Sequence, residues 1–237
     1  MEHRRLVVVE ANEIPLRVVE DLVAAGRAPF LGKLLDEGTL IETEIDEIIP
    51  RELYPSQTWA SLNTGVPWAQ HGVYWYGDRK PAEYPLYWQL AATGGRSVGL
   101  INTLHSSPLT QQCAEGDYRF VIPDCFAIDD ATLPVRYRTF QRANLSLTTA
   151  NSRRVGGRPE TRDIARLALS LPWLGAKTST LLALTRLVTG VARHRIPRER
   201  IRQAQFMLQR DMFNKLLRKH QPDLAVMFTN HVAAAMH

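Results

Sequence analysis

Four short apolar runs constrain this 237-residue chain more than any other feature. They are Leu6–Val9, Ser97–Ile101, Arg119–Ile122 and Asp223–Phe228, rich in β-branched residues and nearly continuous in hydrophobicity. Runs of this kind mark strands buried on both faces, as in a parallel sheet. Segments with helical spacing stand between them. Pro15–Ala25 repeats Leu16, Val19, Leu22 and Val23 and closes on Gly26, and a second helix over 29–38 has Pro29 in its first turn and Gly38 at its end. A loop at Pro55 leads into a third, short helix, and Thr39–Ile45 alternates as a further strand would. Strands alternating with helices predict an α/β fold, a mostly parallel sheet sandwiched by helices.

Charge divides the chain. Residues 1–135 hold 10 Lys/Arg against 19 Asp/Glu, whereas residues 136–219 hold 19 against 4, and 16 of those 19 are Arg. The split predicts three parts: an acidic sheet-bearing core over 1–135, a basic helical insertion or cap over 136–220, and a return to the sheet over 221–237. Helices are expected near Thr161–Leu171, Thr178–Ala192 and Arg198–Lys219, and Asn144–Pro159 reads as polar and turn-rich. The Arg residues are spread among apolar helical positions, which favours a solvated face over a nucleic-acid surface.

Cys113 and Cys125 are the only cysteines, too few and too widely spaced for a disulfide scaffold or a zinc finger. The apolar stretch 167–192 is broken by Lys177 and Arg186, leaving uncharged runs of ten residues at most. A membrane span needs roughly 20. The expectation is a soluble, cytoplasmic protein with no membrane span. The polar segment ending at His237 follows directly on a strand-like run, so the chain reads as the N-terminal fragment of a larger fold.

In open α/β sheets ligands gather at the carboxyl ends of the strands. Three groups fall there: Glu10 after the first strand, Thr58 before a helix, and Asn230, His231 and His237 after the last strand. Singly, each has an ordinary structural use: ion pair, N-cap or surface residue. The aromatic cluster Trp59, Trp68, Tyr74, Trp75 and Tyr76 reads first as packing and second as a cleft lining, and Asn102–Pro108 as a loop bordering the strand ends.

Their order is informative. Leu6-Val-Val-Val-Glu10, Ala28-Pro-Phe-Leu-Gly-Lys-Leu-Leu-Asp-Glu-Gly38, Tyr54-Pro-Ser-Gln-Thr58-Trp59, Asn63-Thr-Gly65-Val-Pro67, His71-Gly72 and later Pro222-Asp-Leu-Ala-Val-Met-Phe-Thr-Asn-His231 follow one another. This string resembles the type I phosphodiesterase/nucleotide pyrophosphatase group of the alkaline phosphatase superfamily, over about the first 75 residues and the last 18. The resemblance implies an alkaline-phosphatase-like sheet and hydrolysis of phosphodiester or pyrophosphate bonds. It further implies two divalent metal ions, typically zinc, with a threonine nucleophile between them. Carried residue by residue, Thr58 is the nucleophile and a metal ligand, with Ser56 as its rival. Glu10 takes the place of the family's first Asp ligand, Asn230 stands where another Asp is expected, and His237 or His231 is the following His. Metal coordination would acidify a hydroxyl that is otherwise a weak nucleophile. The expected partner is a small-molecule phosphate ester. Phosphomonoester or phosphonate hydrolysis, a non-catalytic member of the same fold, and an anion or nucleic-acid binder stay open beside this reading, and no oligomeric state is set.

Overall fold

The computed structural model describes residues 5–43, 54–76, 78, 84–151, 161–197, 200–201 and 203–233, of 147–151 the backbone alone. Four strands form one wholly parallel sheet in the order β1-β4-β2-β3: β1 Leu6–Ala11, β2 Ser97–Ile101, β3 Asp117–Ile122 and β4 Leu224–Thr229. These are the four apolar runs. The last strand in sequence is thus an inner one, wedged between β1 and β2, and Glu10 of β1 lies opposite Phe228 of β4. Residues 39–43, expected as a strand, are irregular, and the remainder of that segment lies outside the described residues. Alternation alone does not supply a neighbouring strand to pair with.

Side chains leave the sheet on two faces with period two. On one face Val98, Leu100, Leu224 and Val226 pack with Leu86, Trp88 and Ala92. Leu86 caps and Trp88 and Ala92 belong to α5 (Tyr87–Thr93), a helix not expected from the sequence. On the other face Ile101, Phe120, Ile122, Ala225 and Met227 meet Phe140, Leu174, Leu208, Met212, Phe213 and Leu216. Those residues come from α7 (Arg138–Asn151), α8 (Thr161–Leu174) and α10 (Gln203–His220). The Arg-rich segment therefore supplies one covering layer of the sheet: its apolar stripe faces Phe120 and its cations face water. Residues 144–151, expected as turns, continue α7, because tertiary packing of Tyr137 and Phe140 anchors a helix that polar propensity alone would not favour. The remaining helices are α1 (Leu16–Ala24), α2 (Pro29–Glu37), α3 (Pro55–Thr64), α4 (Trp68–His71), α6 (Leu109–Gln112) and α9 (Thr178–Ala192).

Among the described residues β1 is an edge strand, and Leu6, Val7 and Val9 remain 59%, 46% and 59% exposed. No described helix is long and apolar enough to cross a membrane.

One contact fixes the spacing of the second layer. A Cβ on Gly99 of β2 would stand 2.3 Å from the Phe120 ring, itself fully buried. Overpacking at such a site forces neighbouring groups off their preferred rotamers. Gly99→Ala is therefore expected to destabilise the fold by about 2 kcal/mol, read as a lower urea midpoint at an unchanged slope.

Candidate functional site

Because all four strands run the same way, their carboxyl ends share one edge of the sheet. That edge carries Glu10 of β1 with Asn12 after it, Asn230 and His231 after β4, Asn102 to His105 after β2, and Asp124 after β3. Glu10 is the penultimate residue of β1, and Asn12 stands in the turn just past its end.

Glu10 is 6% exposed. Its Oε1 accepts a hydrogen bond from the Tyr87 hydroxyl at 3.0 Å, and Oε2 is buried with no hydrogen-bond partner. Burial pushes the carboxyl up to about 7, and the Tyr87 bond only partly opposes this. Asn12 is the hub of the edge. Its backbone N–H extends the ladder to the Thr229 carbonyl (3.0 Å), its Oδ1 accepts from Trp59 Nε1 (3.0 Å), and its Nδ2 donates to Asn230 Oδ1 (2.8 Å). Trp59 in turn meets Phe228 of β4 edge to face, with ring centroids 5.1 Å apart. Asn12 was not singled out from the sequence; the signal that could have found it is its position just past the end of the first strand.

α3 carries both rival hydroxyls, and the structure treats them differently. Tyr54 at its N-cap and Gln57 three residues on bond reciprocally, so the helix begins at Pro55. Ser56 is completely buried and its hydroxyl donates to the Tyr74 carbonyl at 2.6 Å. Thr58 is half-buried, its hydroxyl reaching back to the Tyr54 carbonyl at 3.4 Å, a long and weak contact. Thr58 lines a pocket of 290 Å³ with Asn12, Glu13, Pro55, Trp59 and Leu62. The hydroxyl that can meet a ligand is that of Thr58.

The other expected residues part company. Asn230 joins Asn12, whereas His231 turns to the opposite side, where its Nδ1 meets Thr229 Oγ1 (2.8 Å) and its ring stacks on Phe206 of α10 (3.9 Å). Burial lowers its pKa, favouring the neutral imidazole. His237 lies outside the described residues. His71 accepts the Val73 N–H at Nδ1, so Nε2 carries the proton and donates to Ser61 Oγ at 2.8 Å, fastening α4 to α3. A second, larger pocket of 440 Å³ opens at the same edge, lined by Tyr76, His105, Asp124 and Phe126 among others. Asp124 was likewise missed by the sequence reading; its position just past β3 was the available signal.

The donor set sets a limit on metal binding. Among the described residues no three His, Cys, Asp or Glu side chains converge as metal ligands do. Glu10, with its unpartnered buried oxygen, supplies one carboxylate, while Thr58 and Asn230 supply neutral oxygens. Glu10 is turned to Tyr87 and Asn230 to Asn12, and of the three only Thr58 lines the 290 Å³ pocket, so these donors do not make up a cation site by themselves.

The raised Glu10 carboxyl has a consequence for stability. The protonated form is favoured in the folded state relative to the unfolded one, where the ordinary value is 4.5. Its contribution is therefore present in full below 4.5 and is lost as pH rises through about 7. Asp124 is raised by burial in the same direction, from 3.8 to about 7. Glu10→Gln should flatten the wild-type decline between these values and stabilise the protein at pH 8 by on the order of 2 kcal/mol, measured by urea unfolding across a pH series. A variant curve parallel to wild type would show that Glu10 does not titrate in this window.

No protein-family model matches the chain, and neither any curated protein nor any solved structure matches it.

Proposed function

We propose that this protein hydrolyses phosphate esters, phosphodiester or pyrophosphate bonds, at the carboxyl edge of its sheet, with Thr58 as the group that attacks phosphorus. The observation that carries this reading is the pocket at the end of β1, where a half-buried threonine hydroxyl, free of any strong hydrogen bond, faces Asn12 and Glu13. The likeness of the motif string to the phosphodiesterase/nucleotide pyrophosphatase group supports the reaction class, the alkaline-phosphatase-like fold and the view of the chain as part of a larger catalytic unit. The early position of Thr58 in α3 supports it too, because the positive end of a helix favours a phosphate's charge.

Within this proposal Asn12 holds Trp59 and Asn230 in register, which keeps the first turns of α3 against the sheet edge and the Thr58 side chain at the pocket wall. The Ser56 hydroxyl stays committed to the Tyr74 carbonyl and takes no part. The cofactor of this reading would be two divalent cations, zinc in the first instance, for which the resemblance offers Glu10, Thr58, Asn230 and His237 as ligands, and bound metal would supply acidification of a nearby hydroxyl.

A second reading has its own observation. Both positions at the ends of β1 and β4 that face Thr58's helix are asparagines, and they bond to each other rather than presenting paired carboxylates. A non-catalytic member of the same fold would look this way.

Hydrolysis of bis(p-nitrophenyl) phosphate separates the two. The catalytic reading expects turnover that rises with added zinc, falls to background in Thr58→Ala and persists in Ser56→Ala. No turnover at any zinc concentration supports the non-catalytic reading, and turnover unchanged in Thr58→Ala overturns Thr58 as the attacking group.

A further inference from the structure

The 440 Å³ pocket has a chemistry unlike that of a phosphate site. Its described lining residues include two carboxylates, Asp78 and Asp124, and neither Lys nor Arg. Asp124 is 4% exposed, and its Oδ1 accepts the Phe126 N–H at 2.7 Å. Asp78 Oδ2 accepts the backbone N–H groups of Tyr74 (2.9 Å) and Trp75 (2.7 Å). Neutral amides orient both carboxylates, and among the described residues no cation pairs with either. Two carboxyl groups thus line one cavity, one of them buried, and a cationic ligand would favour the charged form of both.

The aromatic wall points the same way. Tyr76 and Phe126 are stacked face to face at 3.9 Å, with planes 8° apart, so the pair presents a rigid π surface to the pocket. The faces of such rings are negative and attract cations. His105 lines the cavity as well. Its Nε2 lies 3.2 Å from the Ser56 carbonyl oxygen, which can only accept, so Nε2 carries a proton. Carboxylates and ring faces favour a ligand that brings positive charge and N–H donors. An anion would meet repulsion from both acids.

The geometry points to this pocket as a binding site for a small organic ammonium ion, its charge set between Asp124 and Asp78 and its apolar part against the Tyr76–Phe126 wall. Burial strengthens the case, because a desolvated carboxylate gains more from a cationic partner than an exposed one does. The site stands apart from the Thr58 pocket and does not depend on chemistry there.

Benzylammonium and its neutral isostere benzyl alcohol test the assignment on the full chain, by calorimetric titration with backbone amide shifts reporting the location. Benzylammonium should bind at least tenfold more tightly, with the largest shifts at Tyr76, His105 and Phe126. Asp124→Asn should remove that preference. Since Asp124 also orders its own loop, Tyr76→Ala is the companion variant, expected to keep the wild-type melting profile and weaken benzylammonium at least threefold. Equal affinity for the two probes overturns the proposal. So does tighter binding of benzoate, or a preference that survives in Asp124→Asn.

Discussion

Everything at the candidate site depends on one long-range pairing, that of β4 between β1 and β2. Leu6–Ala11 runs in register with Leu224–Thr229, and the same strand bonds Val98–Ile101 on its other side. Without this wedge the N-terminal strand would have no described strand to pair with, and Asn12 would meet neither Thr229 nor Asn230. The parallel arrangement then forces all strand ends to one edge. Chemistry gathers there because the topology leaves the loops no other place from which to reach a common ligand.

The edge is built from neutral and sparingly charged groups held tightly. Asn12 links a strand, a helix and the segment after β4 through three hydrogen bonds, and Tyr87 braces Glu10 from the helix above. Buried amide networks of this kind fix orientation, since a misplaced member leaves its partners unsatisfied in a low dielectric. The two pockets differ accordingly: one offers a hydroxyl beside a helix start, the other carboxylates beside stacked rings.

The strands were legible because burial on both faces leaves a mark that few other structures leave: β2 and β4 match their apolar runs to within a residue. Helices α1, α2 and α9 were legible from spacing and from their Pro and Gly boundaries. What the sequence could not disclose was pairing. Residues 39–43 alternate like a strand but find no neighbour, and 144–151 look like turns but are carried into α7 by Tyr137 and Phe140. At the site, Thr58 stands in a pocket and Glu10 is turned under Tyr87, while Asn12, which belongs to no motif, joins α3 to the segment after β4. A local pattern marks which residues end a strand; which of them faces a neighbour is set by packing more than 200 residues away in sequence.

The position of β4 also shapes how this chain comes into being. During synthesis β1 is made first and its described neighbour last, at an elongation rate of about 5–20 residues per second. For many seconds the stretch Leu6-Val-Val-Val has emerged with its ladder groups unpaired, while the segment that will flank it does not yet exist. Among the described residues no strand covers its other side either, and Leu6, Val7 and Val9 stay largely exposed. Until β4 is made, this apolar strand offers a template for pairing with any other extended segment.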